Sequence, residues 1–201
     1  MSPELETLNA LPSEEARALF SSCCASSEWA RRMSAARPFE SFRELADEAD
    51  RISRSLSRED WLEAFAGHPK IGSSENEKGT DLFYRSHPKI GDSDSEYGGG
   101  CRSAGPVPAT FSSRAWSREE QGGTKGASPE TLANLADANR EYEERFGYIF
   151  IVCASGRSAA EMLALAEKRL GNDPATELAI AVEEQRKITR LRLEKLLATE
   201  R

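Results

Sequence analysis

The sequence predicts an all-α fold, a single-domain compact bundle of about seven to eight helices with one long glycine- and proline-rich insertion. Three observations support this prediction. Apolar residues recur at helical spacing along most of the chain, serine caps precede several of these runs, and only one short segment resembles a strand. The 201 residues are enough for one hydrophobic core, so we expect 1–201 to form one domain.

Apolar periodicity places most of the helices. In the amino-terminal part of the chain it predicts helices over 13–29 and 39–56. In the carboxyl-terminal part, Ser128 is followed by proline and glutamate, which is typical of an N-cap and first turn. A capping-box pattern opens a helix over 158–171, and the last and longest helix should cover 174–197.

The pentapeptide His-Pro-Lys-Ile-Gly occurs twice, nineteen residues apart, and contains the only two histidines, His68 and His87. Histidine can gain or lose a proton near neutral pH, so one of them is a candidate for proton transfer. Ser57 caps a patterned helix that leads to His68, where Pro69 should end it. His87 follows a polar stretch, so we favour His68. The alternatives are a plain helix stop, a duplicated segment or a retained intron in the gene.

Two segments do not fit a helical pattern. The apolar run 148–153 has strand-like composition, but a single strand has no sheet to join, so we expect a buried connection or a short helix. The stretch 73–113 is rich in glycine, proline and serine, and it predicts a mobile insertion or long loop.

Composition excludes several classes of function. The net charge of −7 does not favour nucleic acid as a partner, and no apolar run approaches the about 20 residues that a membrane helix needs. The amino terminus lacks the pattern of a signal peptide, so we expect a soluble, intracellular protein. We expect no metal site and reduced thiols, because the cysteines lack CxxC spacing: Cys23, Cys24, Cys101 and Cys153.

Polar residues that could face a common site occur in two further places. Ser117, Glu120 and Gln121 form either a capping box or a substrate-binding group, and these interpretations are compatible, because a helix amino terminus also favours anions. Arg192 shares a stripe of the last helix with Gln185 and apolar residues. It should extend outward or pair with an acid, and at a cleft it would suit a carboxylate or carbonyl-rich ring.

Five blocks of the sequence resemble the OHCU decarboxylases, the 2-oxo-4-hydroxy-4-carboxy-5-ureidoimidazoline decarboxylases of urate degradation. The resemblance extends over 8–197, outside 73–108. The blocks are FAGHPKIG at 65–72, WSREEQGG at 116–123, NREYEERFGYIFIVCASG at 139–156, EKRLGN at 167–172 and ITRLRLEKLL at 188–197.

The resemblance implies a cofactor-free, all-helical enzyme, commonly a homodimer, that converts OHCU to (S)-allantoin and carbon dioxide. It implies catalytic roles for His68, as the proton donor, and for Glu120 and Arg192. His87 stays an alternative, because this chain has an extra nineteen-residue unit and sequence downstream of the motif matches better at the second copy. The implied substrate-binding residues are Pro69, Ser117, Gln121, Phe150, Ile151, Val152, Cys153 and Ala154.

A competing hypothesis is a helical interaction protein without catalytic activity. The intact Glu120, Gln121 and Arg192 argue against it, because a scaffold does not need all three. The expected compartment is the cytoplasm, because the sequence does not end in an SKL-like tripeptide, although the resemblance also makes a peroxisomal location conceivable.

Overall fold

The all-α prediction is confirmed. The computed structural model describes residues 2–71, 116, 120, 122–124 and 126–198, and in these ranges it contains no β-strand. The predicted insertion, 73–113, lies outside them. The elements are α1 (Pro3–Ala10), α2 (Ser13–Cys23), α3 (Ser27–Ala35), α4 (Phe42–Ser53), α5 (Arg58–Ala66), a 3₁₀ turn (Gly122–Thr124), α6 (Pro129–Phe146), α7 (Ala159–Leu170) and α8 (Pro174–Ala198).

Serine side chains begin several helices, as their spacing predicts. Ser57 accepts a hydrogen bond from the backbone N–H of Asp60, whose carboxylate accepts one in return, and α5 therefore starts with a full capping box. Ser158 and Glu161 form the same arrangement at α7, and Ser128 caps α6. Each such cap stabilises its helix by about 1 kcal/mol, because it satisfies backbone donors that lack a partner within the helix.

The helix predicted over 13–29 is two helices. The chain leaves α2 after Cys23, and the Ser26 side chain accepts from the backbone N–H of Trp29 at 3.2 Å, which starts α3. The break lets α3 fold back on α2, so that the Phe20 and Trp29 rings meet edge to face, 6.0 Å between centroids. The prediction of one run was wrong because apolar periodicity does not register a tight reversal.

The helix predicted over 39–56 is shorter than expected. It begins after Ser41, whose side chain caps it, and it covers Phe42–Ser53. Phe39 lies before the helix and is buried against Phe20, with 6.5 Å between ring centroids. Phe39 is therefore part of the hydrophobic core although it does not belong to the helix.

The longest helix, α8, organises the bundle. It contacts α1, α2, α4 and α5, while α6 and α7 pack against each other. This arrangement brings the end of α5 and the connection between α6 and α7 to one side of α8. None of the helices in the described ranges is long and apolar enough to cross a membrane.

The apolar segment that resembles a strand is a buried connection, which was one of the two predicted alternatives. Gly147 ends α6 with a left-handed φ of 79°, a conformation that favours glycine, and residues 149–154 then continue without regular structure. Phe150, Ile151, Val152 and Ala154 are buried.

Candidate active site

A small cavity lies where the end of α5, the 149–154 connection and α8 meet. Its volume is about 20 Å³, which is room for about one water molecule. The described residues that line it are His68, Pro69, Ile71, Glu120, Phe150, Ile151, Val152, Ala154 and Ile188.

The end of α5 fixes the position of His68. Gly67 caps the helix, and the backbone N–H of His68 donates to the carbonyl of Phe65 at 3.1 Å. A Cβ on Gly67 would lie 2.3 Å from the Cβ of Ala25, so glycine is needed for the close approach of α5 to the α2–α3 connection. The residue after this close contact is His68, whose backbone therefore has little freedom to move.

A buried amide holds the His68 ring. Nε2 of His68 lies 2.8 Å from Oε1 of Gln185, and Nε2 of Gln185 donates to Oγ1 of Thr189 at 3.3 Å. Because the amide nitrogen faces Thr189, the amide oxygen faces the imidazole, and an oxygen can only accept. In this amide orientation, the contact is a hydrogen bond when the ring proton of neutral His68 is on Nε2, the tautomer that has a lone pair on Nδ1.

The environment keeps His68 neutral. Burial, with a smaller contribution from the positive charge of Arg192, lowers the pKa of His68 from 6.5 to about 3, although the Gln185 hydrogen bond acts in the opposite direction. Before a charged substrate binds, the imidazole is therefore neutral at neutral pH and can accept a proton.

Arg192 and Glu120 form a buried ion pair next to this cavity. Nε and Nη2 of Arg192 donate to the two carboxylate oxygens of Glu120 at 3.0 and 2.8 Å. Their side chains are 1% and 8% exposed. Both charges are held in a low-dielectric environment, where each helps to compensate the other.

The 149–154 connection is held in place by two charged side chains through its backbone. Arg169 of α7 donates from Nη1 to the carbonyl of Ile151 at 2.8 Å. Glu184 of α8 accepts from the backbone N–H of Cys153 at 2.8 Å. These bonds fix an irregular segment that has no sheet or helix of its own to satisfy its backbone groups.

Arg169 belongs to a buried network that the sequence analysis did not identify. Its guanidinium donates to Glu177, which also accepts from the Tyr142 hydroxyl and from the Asn172 side chain. The same guanidinium lies over the Phe150 ring, 4.7 Å from its centroid. Burial raises the pKa of Tyr142, so its hydroxyl remains protonated and can donate.

The structure brings together most of the predicted site residues. His68, Pro69, Glu120, Phe150, Ile151, Val152 and Ala154 line the same cavity, and Arg192 is bonded to Glu120. Cys153 contributes its backbone to the bond with Glu184. The predicted residues Ser117, Gln121 and His87 lie outside the described part of the chain. Trp116 and Glu120 both have helical backbone conformation. The capping-box interpretation places the start of the helix at Ser117, one residue after Trp116.

Gln185 is the principal site residue to which the sequence analysis gave no role. It occurs seven residues before Arg192, two turns away on the same face of α8, in a stripe that also contains Ala181 and Ile188. A fully buried amide in such a stripe needs a polar partner, and that requirement was the available signal. Among the described residues, no group of three or more His, Cys, Asp or Glu side chains could hold a metal ion.

Comparisons with known proteins agree on one family. The OHCU decarboxylase family model matches residues 9–194. A uric acid degradation bifunctional protein of Arabidopsis thaliana is 35% identical over 88% of this chain and 45% of its own length. An OHCU decarboxylase of Amia calva is 41% identical over 33% of this chain and 42% of its own length. The matches therefore span less than half of these two relatives.

Other relatives match along nearly their whole length. An OHCU decarboxylase of Haloferax volcanii is 26% identical over 98% of this chain and 97% of its own. A crystal structure of an OHCU decarboxylase in the presence of (S)-allantoin superposes with a TM-score of 0.66 and 32% identity, covering 94% of this chain and 99% of that one. With a family model that matches nearly the whole sequence, the chain belongs to the OHCU decarboxylase family.

Proposed function

We propose that this protein decarboxylates OHCU to (S)-allantoin and carbon dioxide in urate degradation. The observation that carries the proposal is the convergence of His68 and the Glu120–Arg192 pair on one cavity, in a chain of this family. The substrate needs an acid–base group and charged groups that orient it, and the cavity presents both kinds.

The substrate supplies its own electron sink. The carboxylate of OHCU is attached to C4, next to the ring C5=N bond, so the electrons of the breaking C4–CO₂ bond can move into that imine. The imine nitrogen takes up one proton from solvent as it receives these electrons, which gives an enediamine-like intermediate. This intermediate then loses the proton of its 4-hydroxyl group as C4 becomes a carbonyl, and C5 gains a proton on one face. This route requires neither a metal nor an organic cofactor as an electron sink, and we propose that the enzyme works without them.

His68 is the proposed agent of proton transfer. A neutral imidazole can accept the proton of the 4-hydroxyl group, and the imidazolium can then donate a proton to C5. The pKa of about 3 leaves His68 unprotonated before the reaction, so it accepts the proton of the 4-hydroxyl group first and donates a proton to C5 afterwards. The negative charge of the carboxylate of bound OHCU would also stabilise the imidazolium form of His68.

Glu120 and Arg192 are the proposed orienting groups. The planar guanidinium suits the carboxylate or a ring carbonyl, and the Glu120 carboxylate can accept from ring or ureido N–H groups. The proposed substrate-binding residues further include Pro69, Ser117, Gln121 and 150–154. A cavity of about 20 Å³ is smaller than OHCU, so the described side chains that line it have to move apart when the substrate binds.

The catalytic unit is proposed to be residues 1–201 as one domain, commonly paired as a homodimer in this family. Incubation with urate, uricase and hydroxyisourate hydrolase generates OHCU in place, and circular dichroism then follows optically active allantoin. We expect rapid accumulation of (S)-allantoin and no change of rate after chelation. Racemic product at the spontaneous rate would refute the proposal.

A further inference from the structure

We propose that Gln185 is a positioning residue that holds His68 with its proton on Nε2, so that Nδ1 is the atom that exchanges protons with the substrate. This inference rests on the proposed function, because it assigns the atom through which His68 would act. Its first observation is the 2.8 Å contact between Nε2 of His68 and Oε1 of Gln185, which joins the end of α5 to the middle of α8.

Both ends of the Gln185 amide have a hydrogen-bond partner. Its nitrogen donates to the Thr189 hydroxyl one helical turn further along α8, and both residues are buried. The rotated amide would place an N–H opposite Nε2 of His68, which would then have to accept, and the ring proton would lie on Nδ1. In the observed orientation Oε1 of Gln185 faces the imidazole, and this orientation favours the Nε2–H tautomer of His68.

The choice of an amide instead of a carboxylate has a physical reason. A glutamate at this position would accept the same hydrogen bond, but its negative charge would favour the imidazolium and raise the pKa of His68. Arg192 acts in the opposite direction, and Glu120 is paired with that guanidinium. A neutral acceptor directs the ring proton and keeps Nδ1 able to accept one.

Nuclear magnetic resonance tests the tautomer directly, without dependence on activity. Protein labelled with ¹⁵N-histidine has only two imidazoles, and loss of one signal set in His68→Asn assigns His68. Long-range ¹H–¹⁵N correlation at neutral pH should show a protonated Nε2 and an unprotonated Nδ1 for His68. A proton on Nδ1, or equal populations of both tautomers in the wild type, would overturn the inference.

Two variants of nearly equal size test the link between tautomer and catalysis. Gln185→Met removes the acceptor, and it should mix the tautomers and lower kcat by about 10- to 100-fold with a small change in KM. Gln185→Glu should raise the pH at which His68 titrates and move the activity profile to higher pH. Unchanged tautomer, kcat and pH profile in folded variants would contradict the inference. If the wild type shows the predicted tautomer but does not convert OHCU, the proposed function fails while the tautomer assignment stands.

Discussion

Arg192 and Glu120 lie 72 residues apart in sequence and meet through two parallel hydrogen bonds in the interior of the bundle. The pair links α8 to Glu120, which lies in the 116–123 block that resembles the family's substrate-binding sequence. Because both side chains are almost fully buried, the pair has consequences for stability as well as for the proposed substrate contacts.

Removing either member of this pair should lower both stability and activity. Glu120→Ala and Arg192→Ala each remove one member of a buried ion pair, which typically costs about 3–5 kcal/mol in the free energy of unfolding. Arg192→Lys should not restore full activity, because an ammonium group lacks the planar fork. Urea unfolding and OHCU turnover measure the two effects separately.

The exposed Arg190 on the same helix provides a matched control. It pairs with Glu194 at 3.5 Å, and Arg190→Ala should change stability by less than about 1 kcal/mol and leave turnover unchanged. If turnover of Glu120→Ala followed only its folded fraction, the role of Glu120 would be structural and the proposed substrate contact would be wrong.

Stability should fall at acidic pH because of His68. Its pKa is about 3 in the folded chain and 6.5 when unperturbed, so the unfolded state binds more protons between these values. The stabilisation that depends on neutral His68 is complete above about pH 6.5 and is lost as the pH falls toward about 3. Because His68 takes up at most one proton, the slope of the free energy of unfolding against pH cannot exceed about 1.4 kcal/mol per pH unit.

The comparison of wild type with His68→Asn isolates this effect. The difference in their free energies of unfolding should be constant above about pH 6.5 and shift steadily against the wild type below it. A difference independent of pH from 7 down to 4 would show that the folded chain does not depress the pKa of His68.

A substitution at Gly67 should disturb the site from outside it. The new Cβ of Gly67→Ala would lie 2.3 Å from the Cβ of Ala25, which forces the end of α5 away. We expect a loss of about 1–3 kcal/mol in stability and a lower kcat, because His68 follows directly. Combining it with Ala25→Gly removes the clash, so the double variant should recover activity. No recovery would mean that another contact requires glycine at 67.

Arg169 should matter through the connection that it holds. Arg169→Met leaves Glu177 buried without its cation and leaves the Ile151 carbonyl without its donor, so stability and kcat should both fall. Lys168→Met, at the exposed neighbouring position, is the matched control and should change neither. Equal effects of the two substitutions on kcat would contradict the role of this network in shaping the cavity.

The sequence predicted features that depend on local chemistry. Capping at Ser57, Ser128 and Ser158 was predicted because a cap is decided within four residues. The break before Ser26 was missed, because the reversal is stabilised by packing of α3 on α2, which periodicity does not contain. α1 was not predicted either, since it is short and its apolar residues are few.

The sequence predicted residues that the structure brings together at one cavity, but it did not predict how they pair. His68, Glu120 and Arg192 were proposed from motifs, whereas the bonds from His68 to Gln185 and from Arg192 to Glu120 join residues far apart in sequence. Such pairings follow from how α8 packs against α5 and contacts Glu120. No local pattern specifies that packing, and the partners of buried charges therefore became known only from the structure.

The turnover of His68→Asn, compared with that of His87→Asn and the wild type, tests most directly whether His68 transfers the proton. General acid–base catalysis contributes about 10²- to 10⁴-fold, so His68→Asn should lower the rate of (S)-allantoin formation from fresh OHCU by a factor in that range. His87→Asn should change it little. A full loss in His87→Asn with wild-type turnover in His68→Asn would place the chemistry at the second pentapeptide and contradict the account.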